Sequence, residues 1–168
     1  MIMVELKPLS KEAIPKALER ADRYRLLNEP AEAESICLDI LAADPDNQRV
    51  LVTLILALSD QFGQQRFNIG EHRCEQFIAR LGEDYERAYY SGVVCERRGK
   101  AAAFSAHMSS ADAYEWFHDA MRWYEKAEAM RPSGNDDAVL RWNTCARILA
   151  HNRHLQPREK EQVEPYLE

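Results

Sequence analysis

The chain has 168 residues, of which 46% are hydrophobic and 30% charged, with six glycines and a net charge of −6. That length suits one domain built around one core or one continuous stack, and the composition suits a folded helical protein rather than a disordered, collagen-like or disulfide-rich one. The acidic balance and the scattered Lys and Arg argue against phosphate-backbone binding, so no nucleic-acid partner is expected.

In chain order, MIMVELKPLS lacks a basic segment followed by an extended apolar one; neither a secretory signal nor an anchor is expected, and the cytoplasm is the simplest location. IPKALERADRYRLLNEP, residues 14 to 30, reads as a helix with Ala21 and Tyr24 on one face. AEAESICLDILAADPDN follows as a second helix, with a stripe of Ala33, Cys37 and Ile40, and stops at Pro45 because proline cannot continue the hydrogen-bond ladder. QRVLVTLILALSDQFG carries Leu51, Leu54 and Leu58 at helical spacing. Its apolar run is about half the length that a bilayer demands, so it predicts a buried helix and no membrane partner. IGEHRCEQFIARLGED repeats the small-then-apolar stripe with Gly70, Cys74 and Phe77.

YERAYYSGVVCERRGK, with Gly92 and Cys95, and FHDAMRWYEKAEAMRPSGN, with Ala120, Tyr124, Ala127 and Pro132, form a further pair. NDDAVLRWNTCARILAHN then offers Asn135 or Asp136 as a cap and Val139, Trp142, Ala146 and Leu149 as an apolar face. The last stretch, NRHLQPREKEQVEPYLE, is polar and holds two prolines, which predicts a frayed or extended tail over 152–168.

Two of these segments superpose at a fixed offset. Ala33, Cys37, Ile40 and Pro45 align with Ala120, Tyr124, Ala127 and Pro132, always 87 residues apart. The preceding helices align at 71, Ala21 on Gly92 and Tyr24 on Cys95. The difference places sixteen extra residues, AAAFSAHMSSADAYEW, inside the later pair, an insertion over 101–116. Ser109 or Ser110 followed by Asp112 reads as a helix start, so the second helix of that pair should begin near residue 110 and run about two turns longer than its counterpart. GKAAAFSAHMS is left as a loop unless the alanine run is itself helical.

A small residue late in one helix, a small residue early in the next and a terminal proline resemble the tetratricopeptide repeat, a helix-turn-helix module of about 34 residues. Ala21, Tyr24, Asn28, Ala33, Cys37, Ile40, Pro45 and the DPDN ending carry the resemblance first, and Gly92, Gly99, Ala120, Tyr124, Ala127 and Pro132 carry it again. The middle unit is weaker: Ile55 stands where the family prefers a small residue, Gly82 replaces the terminal proline, and about three residues are added at its turn. The resemblance implies an all-α fold, a right-handed superhelix of antiparallel helix pairs over 1–151. Its repeats fall near 14–47, 48–84 and 85–134, with a capping helix over 135–151.

Such stacks bind partners on the concave side, lined by the first helix of each pair. Carried onto this sequence, that places Leu18, Asp22, Arg25, Val52, Leu56, Ser59, Tyr89, Val93, Glu96, Asn143 and Arg147 in a groove with an apolar middle. The family's carboxylate-holding positions fall on Leu18, Asp22, Thr53, Glu86 and Tyr90, so a terminal carboxylate should be repelled. The expectation is a non-enzymatic protein-interaction module for a protein or peptide partner. A chaperone or escort for one partner is the alternative, an enzyme or metal-binding protein is the alternative of another class, and a homodimer is possible.

The chemistry-bearing residues have blander readings. Cys37, Cys74, Cys95 and Cys145 form no CxxC pair and read as packed thiols. His151 and His154 lack further ligands for structural zinc, and His72, His107 and His118 have no nucleophile context, so no catalytic residue, metal or cofactor is expected. Arg97-Arg98 beside Glu96 reads as a solvated helix face. Trp116 and Trp123 share one face of their helix and Phe117 and Tyr124 the neighbouring one; Phe104 and Met108 are expected to anchor the inserted segment over that helix or into the groove.

Overall fold

A computed structural model describes residues 4–64 and 69–159. These form seven α-helices: α1 (Ile14–Leu26), α2 (Pro30–Ala43), α3 (Gln48–Asp60), α4 (Ile69–Ile78), α5 (Asp84–Ala103), α6 (Ser110–Ala129) and α7 (Asp137–His151), with a short 3-10 turn at Lys11–Ala13. No strand occurs among the described residues, so the fold is all-α. No described helix is long and apolar enough to cross a membrane.

Local chemistry sets the boundaries. Asn28 takes a positive φ of 60°, a conformation that asparagine tolerates better than most residues, and Glu29 N–H returns to the Tyr24 carbonyl at 2.8 Å. Pro30 then opens α2, where its missing N–H leaves no bond unmade. Asn47 caps α3 by accepting from Val50 N–H at 3.1 Å. At α6 the reciprocal box expected from Ser109 and Asp112 forms in both directions, at 3.1 and 3.2 Å. Asn135 accepts from Asp137 N–H at 3.0 Å at the start of α7.

Consecutive helices pack as antiparallel neighbours, and contacts between non-consecutive ones run α1 to α3, α3 to α5 and α5 to α7. The first helices of the pairs therefore share one layer. Ala21 and Ala33, the small residues read as a close approach, are both fully buried. In the later pair two glycines of α5, seven residues apart, seat two rings of α6. A β-carbon at Gly92 would stand 2.5 Å from the Tyr124 ring, and one at Gly99 would stand 3.1 Å from Phe117.

Two cores result. The first draws on α1 to α4, with Leu51, Leu54, Ile55 and Leu58 of α3 at its centre and Val94 reaching in from α5. The second joins α5, α6 and α7 around Phe117, Tyr124 and Cys145, with Leu56 of α3 packed on its edge. Tyr90 touches both.

The inserted segment is mostly helix. The alanine run continues α5 to Ala103, and α6 starts at Ser110, so both helices reach 20 residues and only 104–109 connect them. Phe104 is 91% exposed and anchors nothing; Met108 is half-buried against the second core. The start of the tail is better fixed than its polarity suggests: Leu155 is buried in the second core, and Arg158 pairs with Asp112 at the head of α6. The extra turn of the middle unit and the tail beyond 159 include residues outside those described.

Candidate functional site

The face formed by α1, α3, α5 and α7 carries a chain of ion pairs. At one end Asp22 of α1 accepts from Thr53 Oγ1 at 3.1 Å and pairs with Arg49 at 3.3 Å. Further along, Asp60 of α3 is held from both sides, by Arg25 Nε of α1 at 2.8 Å and by Arg97 Nη1 of α5 at 2.7 Å. Arg97 also donates to the Leu56 carbonyl at 2.8 Å and to Ser59 Oγ at 2.6 Å.

Glu96, one residue before, turns inward. Its side chain has no solvent exposure, yet both oxygens are satisfied: Oε2 accepts from the Tyr124 hydroxyl at 2.6 Å, and Oε1 from Lys100 at 2.5 Å and Arg141 of α7 at 3.2 Å. Burial by itself pushes this carboxyl up. Donation from Lys100 and Tyr124, with the charges of Lys100 and Arg141, outweighs burial and holds it below its ordinary value. Tyr124 is driven the other way, first by burial and then by the neighbouring carboxylate.

Between α3, α5 and α7 this face opens into a cleft of about 630 Å³ lined by Ser59, Asp60, Phe62, Gly63, Arg97, Lys100, Ala101, Phe104, Ser105 and Arg141. Phe104, released from any packing role, stands at its rim.

These positions revise the groove inferred from the sequence. Leu18, Ser59, Val93 and Glu96 are buried and offer little surface to a ligand. Asp22 and Arg25 are occupied by ion pairs, while Val52, Leu56 and Tyr89 are half-buried. On α7 the residue that reaches the groove is Arg141. Asn143 and Arg147 lie about 200° and 240° further around the helix at 100° per residue, which turns them elsewhere. Nor is Arg97-Arg98 a solvated face: Arg98 is buried, with its guanidinium 4.3 Å from the Phe62 ring centre and Nε 3.3 Å from Glu71. Sequence reading missed Lys100 and Arg141, and named Phe104 as an anchor of the inserted segment without its exposure. The available signal was the run of cations in the last turns of α5, of which Arg97 and Arg98 pair with Asp60 and Glu71 on other helices and Lys100 with Glu96 on its own.

A second cleft, of about 620 Å³, lies on the opposite side of α5, where α4 and α6 stand apart. Trp116 and Trp123 line it together, as their shared helical face predicts, with Ile78, Ala88, Val94 and Cys95 beneath. Trp123 is 36% exposed and carries Lys126 over its ring at 5.1 Å.

The remaining reactive side chains do not converge. All four cysteines are free, three of them fully buried, and burial pushes each thiol up to about 12, which leaves them protonated and inert. The five histidines are exposed. Among the described residues no three His, Cys, Asp or Glu side chains are grouped as metal ligands would be. Comparison with known protein families, characterised proteins and solved structures finds no match to the chain.

Proposed function

We propose that the chain is a non-catalytic helical-repeat protein of the tetratricopeptide type, a right-handed stack whose concave face binds a peptide or a protein partner. One observation carries the reading: α1, α3, α5 and α7 form a shared layer, and the cleft in that layer gathers cationic side chains beside an unpacked aromatic ring. Positioned charges around an apolar contact make a binding surface, in which shape and complementary charge select the partner. The paired helices, with small residues at Ala21, Ala33, Gly92 and Ala120 where they cross, support the repeat assignment.

The test compares capture of binding proteins from native extract by the wild type, by Phe104→Asp in the groove and by Leu38→Asp on α2. Phe104 and Leu38 are both exposed, so neither change disturbs the core. The expected result is a partner set lost with Phe104→Asp and kept with Leu38→Asp. The same set retained by both variants refutes the groove as the binding face.

A further inference from the structure

We infer that the groove's ligand is an acidic segment, recognised through its side-chain carboxylates and one apolar residue laid against Phe104; this rests on the groove being the binding face. The argument is one of charge. Four cations, Arg25, Arg97, Lys100 and Arg141, face two carboxylates, Asp60 and Glu96. Both oxygens of each carboxylate are already engaged, so the acids are satisfied and the cations are in excess by two.

The excess is local, since the whole chain carries −6. Lys16, Arg20 and Arg23 beside Glu19 on α1 form a second cationic patch, but its pocket is smaller, about 160 Å³, and has no aromatic ring in its lining. The helix ends reinforce the pattern only in part. Arg97 lies near the last carbonyls of α3 and Lys100 in the last turn of α5, where a cation is favoured, but Arg141 is in the first turns of α7, where it is not. Its position there is explained by what it faces across the groove.

The donors are also available. Arg141 spends one nitrogen on Glu96, with about a third of its side chain in solvent, and Lys100 is exposed to 41%. A guanidinium has five N–H groups and an ammonium three, so both retain donors for an incoming carboxylate. Phe104 supplies the second element, since a ring left 91% exposed beside those donors gains by being covered. The other end of the layer sets one cation, Arg49, against one carboxylate, Asp22, and so adds no excess charge.

Selection from a phage-displayed library of random dodecapeptides tests this directly. Peptides selected on the wild type should be rich in Asp and Glu with an aliphatic or aromatic residue among them. The best binder, resynthesised with an amidated C-terminus, should keep its affinity, lose about tenfold when its acids become Asn and Gln, and weaken steeply as salt is raised. Phe104→Ala and Lys100→Gln should each weaken it several-fold, whereas Leu38→Ala should not.

Circular dichroism and thermal unfolding of the variants show that the fold persists; Lys100→Gln leaves Tyr124 and Arg141 on Glu96. Neutral or basic binders that are still weakened by Phe104→Ala would overturn the acidic ligand and leave the groove standing. Binders indifferent to both groove variants, or no binders at all, would count against the groove as well. Dependence on a free terminal carboxylate would overturn recognition through side-chain carboxylates.

Discussion

Glu96 is the residue on which the later part of the fold turns. A carboxylate with no exposure is costly unless every lone pair is met, and here a phenol, an ammonium and a guanidinium meet them. Tyr124→Phe removes the one buried donor, leaves Oε2 facing a hydrocarbon ring, and should destabilise by about 1–3 kcal/mol in urea unfolding at pH 7. Acidity acts through the same group. Because Glu96 titrates below its ordinary 4.5 in the fold, its contribution is complete above that value and is lost as pH falls through the depressed one. Glu96→Gln should therefore be less stable than wild type near neutrality, with the gap closing as pH falls below 4.5 in a pH series of unfolding curves.

Gly92 gives a sharper local test. Alanine in a helix interior ordinarily gains up to about 1 kcal/mol over glycine, but here the added carbon meets the Tyr124 ring at 2.5 Å, a ring that Glu96 holds in place. Gly92→Ala should therefore lower the thermal midpoint despite its better helix propensity.

At the scale of the element, the sequence was most legible where a signal is local. Ser109 and Asp112 located the start of α6 because capping uses neighbours in sequence, and Pro45 and Pro132 marked ends because a missing N–H acts at its own position. Ser109→Ala should cost about 1 kcal/mol and fray the first turn, which amide exchange at 110–113 would register. The apolar run of α3 likewise identified a helix buried nearly all round; Leu54→Ala should cost about 2–5 kcal/mol in the same unfolding measurement.

Helical spacing predicted that Trp116 and Trp123 would lie together, and they do. The groove implied by the repeat resemblance was less reliable for Glu96 and Val93, which it placed on an open face but which are buried. Their burial depends on Tyr124, 28 residues beyond Glu96, and on α7 folding across α5, neither of which periodicity along one helix records. Phe104 erred in the opposite sense: an aromatic residue in a connection reads as an anchor until the connection proves too short to fold back.

For the whole molecule, the division into two cores matters more than the count of repeats. Val94 and Leu56 are the side chains that cross from one core to the other, with Tyr90 between them, and the Arg97 to Asp60 pair spans the same boundary. Amide exchange under native conditions should accordingly show two cooperative units, one over α1 to α4 and one over α5 to α7, rather than uniform protection. Behind this boundary α4 and α6 leave the cleft with the two tryptophans, yet α4 still meets α5, where Arg98 pairs with Glu71. The halves are therefore joined through α5, which bears on α3 at one face and on α4 at another. It serves as a rivet: Arg97 fixes it to α3 and Arg98 to α4, so adjacent residues of one turn fasten two different helices.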